Sequence, residues 1–371
     1  MFDLGLDPVE LEALVSSLAG SEQIRTRVLL LDLNHNIVED LSHLGPDGST
    51  SINGGADIQS SASCSLFDPR GESGLDVVTD VAGVRPPDRM LQVYRGSLVN
   101  DVWVDVPVFC GPIVDVSRDG DYLTIEAQSK DVLALDKPWR SYTVKKGTLV
   151  TDAVRLILAN MTGETRFKIQ ASSKKLANDV SVGADSTPLE TVRTLLNGIG
   201  FVSFFDAEGW FVAKPPTTEV GFVFTDRDGG FVTSRVTRDY RSEGIVNAVR
   251  VTSANGKNKA EAVAEVNHPF APAKLGRNAV GRFLWEDIQS ESNLSKAQCQ
   301  TQANQKLAEL LLDAVSVSFE GLPVPFLDAW DVVRVSADSV AVDVRFTQMS
   351  VPWGLGLSSY GFLPRVKARK R

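Results

Sequence analysis

Most of this chain alternates apolar and polar residues over short runs, the period of a half-buried β-strand. "SSASCSLF" is the clearest case, with Ala62, Cys64 and Leu66 on one face and serines on the other. "RTRVLLLDL" breaks at "NHN", and "MLQVYRGSL", "DVWVDVPVF" and "GPIVDVS" follow. "RDGDYLTIEAQS" predicts a hairpin turning at Asp119-Gly120, with Leu123, Ile125 and Ala127 facing inward. Pro107 and Pro112 suit strand ends or edges, because proline cannot donate to a ladder. Many short strands separated by Gly and Asp turns predict a sandwich or barrel.

Helical spacing interrupts this pattern in four places. Asp7 as cap, Pro8 in the first turn and Gly20 beyond the end bracket a helix with the stripe Leu11, Leu14, Val15 and Leu18. In "YTVKKGTLVTDAVRLILANM", Thr151 and Asp152 predict a helix start, and Val154, Ile157, Leu158 and Met161 share one face. "TPLE" is a capping box at Thr187, ahead of Leu189, Val192, Leu195 and Leu196, with Gly198 at the end. A long helix is predicted over about 292–313, with Leu294, Ala297, Leu307, Leu310 and Leu311 along it. "GFVSFFDAEGWFVAKPP" is a hairpin across Asp206–Gly209. "EGIVNAVRVTSANG" stops at Asn255-Gly256 and pairs with "AEAVAEV".

The expected organisation is a β-rich α+β, multidomain chain. It comprises an N-terminal helical segment (1–22), a first β-rich module (23–141), a small α/β module (142–218), a second β-rich module with one long helix (219–355) and a basic tail, "RVKARKR", in 356–371. No repeat of solenoid length is present.

With 371 residues, 43% hydrophobic and 23% charged, the chain is an ordinary globular protein with room for several domains. The net charge of −9 argues against general nucleic-acid binding, which requires concentrated cations. Cys64, Cys110 and Cys299 are scattered and odd in number, so neither a disulfide framework nor a zinc site is suggested. The start lacks the basic and apolar regions of a signal peptide, and no run is long enough to span a membrane. Folding in cytoplasm is the expectation.

Candidate chemistry is sparse. Lys145-Lys146-Gly147-Thr148 is not a phosphate loop, because the lysines precede the only glycine and Asp152 would repel the anion. His35, His43 and Asp32 could be drawn as a metal set, but their spacing fits no recurring pattern, and His35 and His268 read as solvated turns. Glu126 with Asp131, or Glu261 with Glu265, are acid/base candidates only by residue type. Phe201, Phe204, Phe205, Trp210 and Phe211 fit a hairpin core better than a sugar platform. No catalytic, cofactor-binding or metal residue is assigned, and no cofactor is expected. The balance favours a structural protein over an enzyme.

Three segments together carry a resemblance. "GPIVDVSRDGDYLTIEAQSKDVLALDKP" resembles the closing hairpin of the first barrel in tailed-phage baseplate or tail-tip hub proteins. "YTVKKGTLVTDAVRLILANM" with "STPLETVRTLLNGIGFVSFFDAEGWFVAKPP" resembles their peripheral module, and "EGIVNAVRVTSANG", the long helix and "FLDAWDVVRVS" resemble their second barrel. The minor tail proteins of long-tailed actinobacterial phages are the nearest in flavour. The resemblance implies two barrel tube modules per chain and a homotrimer whose six modules match a six-fold tail tube to a three-fold tip. It implies a virion protein at the tail tip, with DNA passing through the lumen unbound. Its neighbours would be distal tail, tape-measure and fibre or spike proteins. Many hubs continue into a needle, fibre or hydrolase domain, whereas this sequence stops at Arg371.

Two alternatives stand beside it. "YTVKKGTLVTDAVRLI" partly resembles a LysM peptidoglycan-binding repeat, which would make the chain a cell-wall binding module. A carbohydrate-active enzyme on a β-rich scaffold is the other.

Overall fold

A computed structural model describes residues 4–19, 23–73, 75, 89–183, 186–217, 219–227, 229–240, 246–253, 260–266, 284–290, 294–312, 315–338 and 340–364. The expected stops at Gly20 and Asn255-Gly256, His268 and the segment "RVKARKR" lie outside them, whereas residues 358–364 of the expected tail form a strand. The first helix, α1, spans Pro8–Ala19. Asp7 Oδ1 accepts from the amides of Val9 and Glu10, and Glu10 accepts from the Asp7 amide, a reciprocal cap.

Seven strands follow: β1 (Ile24–Asp32), β2 (Ile37–Asp40), β3 (Asp47–Asn53), β4 (Ser60–Phe67), β5 (Arg89–Val99), β6 (Val102–Asp119) and β7 (Tyr122–Gln128). Leu123, Ile125 and Ala127 are buried as the alternation requires, as are Ala62, Cys64 and Leu66. The turn after β6 is centred on Gly120 and Asp121, one residue later than expected, because Asp119 still pairs with Tyr122 and Gly120 takes the left-handed conformation.

The middle of the chain carries β8 (Tyr142–Val144), α2 (Val150–Thr162), β9 (Phe167–Ile169), β10 (Val180–Val182), α3 (Pro188–Asn197), β11 (Val202–Phe205) and β12 (Phe211–Lys214). Helix α2 starts at Leu149 with no side-chain cap, rather than at Thr151, which is buried inside its first turn. Thr187 caps α3 by accepting the Glu190 amide, as "TPLE" predicts. The faces of α2 and α3 pack with Phe201, Phe205 and Phe211 into one core.

The remainder comprises β13 (Val220–Thr225), β14 (Thr237–Tyr240), β15 (Ala248–Ser253), β16 (Glu261–Glu265), β17 (Trp285–Ser290), α4 (Lys296–Leu312), β18 (Val315–Gly321), β19 (Val332–Ala337), β20 (Val340–Pro352) and β21 (Ser358–Pro364). Strands β15, β16 and β17 form their own sheet, whose core with α4 includes Val249, Val251, Cys299 and Ala303. The long helix and the β15–β16 hairpin are therefore a separate layer, not staves of a second barrel. The apolar side of α4 is satisfied by that small sheet.

All other strands outside the α/β region join one 13-stranded sheet, ordered β14-β18-β21-β20-β3-β4-β7-β6-β5-β1-β2, with β19 beside β20 and β13 beside β19. Among the described residues this path does not close on itself, and neither β-rich region closes into a barrel within them. The two regions repeat one plan. The order β5-β6-β7-β4-β3 in the first matches β19-β20-β21-β18-β14 in the second, in the same chain order and antiparallel throughout. Next to β5 lies β1, and next to β19 lies β13, although β13 is parallel where β1 is antiparallel. The sequence shows no such repeat, because the second region carries the β15–α4 insertion between the equivalents of β3 and β4.

The two regions interlock. The end of β20, Gln348–Pro352, pairs with β3. Trp353 lies in the core of the first region, while Val99 and Val106 lie in the core of the second. Leu14 and Leu18 of α1 join that second core, and Ser17 Oγ donates to the carbonyl of Leu98 in β5.

Candidate functional site: a junction of three cores

The chain's most concentrated buried polar chemistry lies where the α/β unit meets the first β region. A 3-10 turn at Lys130–Ala134 follows β7 and buries both Lys130 and Asp131. Asp131 accepts from Ser129 Oγ at 2.7 Å, from the Gln59 amide at 3.3 Å and from Arg193 of α3 at 3.4 Å. Burial raises its pKa, and the Ser129 hydroxyl and the Arg193 charge oppose that rise. Arg193 also donates to Asp57 in the β3–β4 loop, so one guanidinium clips α3 to two segments of the first region.

Lys130 ion-pairs with Glu164, which follows α2, and donates to the Gly209 carbonyl at 3.2 Å. Its ammonium lies 3.2 Å from His35 Nε2, and Arg166 lies 2.7 Å from His35 Nδ1. Arg166 stacks on Trp210 at 4.2 Å and donates to the Glu208 carbonyl. Gln92 of β5 spans the same seam, donating to the carbonyls of Phe109 and Ala207. His35 is thus not the solvated turn residue expected. It sits in the β1–β2 turn with left-handed backbone, partly buried between two cations.

Cys110 Sγ is 4.0 Å from His35 Nδ1, which could suggest a nucleophilic pair. The electrostatics run the other way. Burial pushes the thiol up to about 12, while burial and then Lys130 and Arg166 hold the imidazole down to about 4. An activated pair needs a thiolate beside an imidazolium, and here both stay neutral at neutral pH. The cluster works as a mechanical fastening.

A third contact closes the junction. A cavity of about 30 Å³ is lined by Gln59 and Ser60, by Phe204 and Phe205, and by Leu327 and Asp328 of the β18–β19 connection. Burial, reinforced by the Asp331 charge, pushes Asp328 up to about 7.

The other candidates do not converge. Asp32 is spent on its own turn, accepting from the Asn34 and Asn36 amides and the Asn36 side chain. His43 contacts the Asp40 carbonyl and Glu72. Among the described residues no group of His, Cys, Asp and Glu is arranged to hold a metal. Glu126 accepts from Ser63 on the outer face of the sheet, whereas Asp131 is in the junction. Glu261 and Glu265 are both exposed on β16. Phe201, Phe205 and Phe211 are core, as expected for the hairpin. Lys145 and Lys146 are tied to Asp179 across the β8–β10 pair. The junction residues escaped sequence reading because they lie far apart in the chain; the polar doublet Lys130-Asp131 after an alternating strand was the one local sign.

No family model matches the sequence, nor does any curated protein. Solved structures do match. A tail protein from Neisseria meningitidis MC58 is similar with a TM-score of 0.65 at 11% identity, over 92% of this chain and 97% of that one. The 43 kDa tail protein of prophage MuSo2 from Shewanella oneidensis is similar at 0.62 and 10%, over 91% and 98%. The prophage tail protein gp18 from Listeria monocytogenes EGD-e is similar at 0.54 and 11%, over 92% and 95%. The chain has the fold of these tail proteins.

Proposed function

We propose that this chain is a structural virion protein, a homotrimeric tail-tip or baseplate hub. The reading rests on the full-length likeness to tail proteins, which spans nearly all of both chains at TM-scores up to 0.65. In this reading residues 23–141 and 219–355 are the two tube modules, 142–218 the peripheral module and 1–22 the leading helical segment; of the expected tail, 356–371, β21 (Ser358–Pro364) pairs with β18 and β20 and belongs with the second module. The repeated strand order supports the two-module division. Three chains supply six modules, adapting a six-fold tube to a three-fold tip. They close the tube and frame a channel through which DNA leaves for the host.

The chemistry agrees with that task. A chain of net charge −9 repels phosphates, so DNA passes without specific binding. Buried ion pairs and a hydrogen-bonded seam fix the α/β unit on the ring, where it would meet distal tail, tape-measure and fibre or spike proteins. The protein has no catalytic role or cofactor in this reading.

Electron microscopy of intact particles, with a label on the C-terminus, tests it. Three copies around the channel at the tail tip are expected. A single copy, six copies or absence from the particle would overturn the hub.

A further inference from the structure

We infer that the cavity between the three cores is a structural calcium site, held by the Asp328 carboxylate and the side-chain oxygen of Gln59, with water completing the shell. The ion would tie the first β region, the second and the α/β unit together at one point.

Gln59 supplies the first observation. It is 6% exposed, lies just ahead of β4 and lines the cavity. Its amide donates to Asp131 at 3.3 Å, and its backbone carbonyl accepts from the Asn53 amide at 2.8 Å. Its Nε2 donates to the Gly54 carbonyl at 3.2 Å, which fixes how the side-chain amide is turned. What remains is Oε1, a pure acceptor, buried without a hydrogen-bond partner. A bare acceptor in the interior is costly, and one on a cavity wall marks a place for a donor or a cation.

Asp328 supplies the negative charge. Its amide donates to Asp331 Oδ2 at 2.9 Å, and its carbonyl accepts from the Asp331 amide at 3.2 Å. The turn thus closes through the backbone of Asp328 and leaves its carboxylate uncommitted. Among the described residues no donor reaches that carboxylate. Lys214 acts on it from the α/β unit, but its ammonium lies over the Phe204 ring at 5.4 Å and makes no ion pair with it.

The lining and the volume choose the ion. The polar side chains on the wall offer oxygen, with no imidazole or thiol, which favours a hard cation over zinc or copper. A cavity of about 30 Å³ takes an ion with one or two waters, since a water needs roughly 10–15 Å³. A bidentate Asp328, Gln59 Oε1, the Ser60 hydroxyl on the same wall and two waters give about six oxygens, the lower end of a calcium shell. Calcium accepts carboxylates, amide carbonyls and waters in irregular geometry. Magnesium demands a near-ideal octahedron, from which the narrow bite of a bidentate carboxylate departs. Three clustered acidic or imidazole groups are not needed, because neutral oxygens fill the shell. Phe204, Phe205 and Leu327 on the remaining wall keep bulk water away, which strengthens the attraction between ion and carboxylate.

Calorimetric titration and thermal melting of the full-length protein test the site. The protein is stripped with EDTA, exchanged into calcium-free buffer at pH 8 and titrated with calcium chloride. One tight site per chain is expected, and millimolar calcium should raise Tm, with magnesium doing so less. Asp328→Asn keeps the shape and removes the charge. Without calcium it should melt at least as high as the native protein, and it should lose the calcium-induced rise. Its affinity at this site should fall by more than about tenfold. Gln59→Leu should lose the rise as well, and Asp328→Asn decides alone if that variant does not fold. No heat and no shift in the native protein would mean that the cavity holds water only, and would overturn the site. A calcium shift of equal size in the native protein and in Asp328→Asn would overturn it too, because the ions would then sit on surface carboxylates. An equal response to magnesium would overturn the assignment to calcium. The result is independent of oligomeric state.

Discussion

Lys130 and Glu164 form an ion pair in which both side chains are almost fully buried, joining the end of the first β region to the loop after α2. Glu164 also accepts the amides of Thr165 and Arg166 through Oε1. Removing one charge from such a pair leaves the other unpaired in a low-dielectric site, which costs about 3–5 kcal/mol. Glu164→Gln keeps an acceptor for the amides but strips the partner from Lys130. It should lower stability by about 3 kcal/mol in urea unfolding. Replacing both residues, Lys130→Met with Glu164→Leu, should recover most of that loss. Equal destabilisation by the single and double variants would contradict this account of the seam.

His35 ties acid sensitivity to the same seam. Its pKa is held down to about 4 from 6.5 in the unfolded chain. The folded state therefore binds its proton less readily, so the contribution is present above about 6.5 and is lost as pH falls towards 4. Solvent screening at this half-buried site keeps the contribution well below what the full shift would give. Because carboxylates titrate over part of the same range, the informative quantity is the difference between the native protein and His35→Asn. That difference should favour the native protein less at pH 4.5 than at pH 7.5. A constant gap across the range would exclude His35 as the source.

Asp328 has the opposite sign. Burial and the Asp331 charge raise it to about 7, so the folded state holds its proton more tightly than the unfolded chain. Stability from this group is complete below about 4 and declines as pH rises through 7. Asp328→Asn, which keeps the shape without the charge, should stabilise the protein at pH 8 by up to roughly 3 kcal/mol and leave it unchanged at pH 4. Thermal melts at the two pH values would decide the matter, and a destabilised variant at pH 8 would count against it.

Trp353 plugs the first core from the far end of the chain. It is fully buried, and its indole N–H donates to buried Thr50 at 2.9 Å. Any Cβ at Gly48 would lie 2.9 Å from its ring and 2.2 Å from the Ser63 carbonyl, so only glycine lets the ring seat there. Trp353→Ala should cost about 3–5 kcal/mol. Gly48→Ala should also destabilise. In both, hydrogen exchange should speed first in β3 and the end of β20, where the two regions are stitched. Uniform exchange changes would show that the ring is not local to that junction.

Much of the local structure was legible because it depends on near neighbours. Alternation buried Ala62, Cys64 and Leu66 on β4, and Asp7 and Thr187 capped their helices, since those contacts reach only two or three residues along the chain. The hairpin across Asp206–Gly209 followed from its turn residues flanked by apolar runs. Errors came where long-range packing overrode a local signal. Thr151 looks like a cap in sequence but is drawn into the core, so the helix begins earlier. His35 looks like a turn residue and is one, yet Lys130 and Arg166 enclose it from 95 and 131 residues away.

By itself, then, the sequence determined the β-rich composition, the helices and the strand faces, because periodicity and capping are properties of adjacent positions. The tertiary structure alone decided that both β regions share one sheet and one strand order, that β15–β17 leave it to cover α4, and that Trp353 and Val106 cross into each other's cores. Strand order and core membership are set by backbone pairing and burial between residues hundreds of positions apart, and the pattern along a strand is the same whichever neighbour it pairs with.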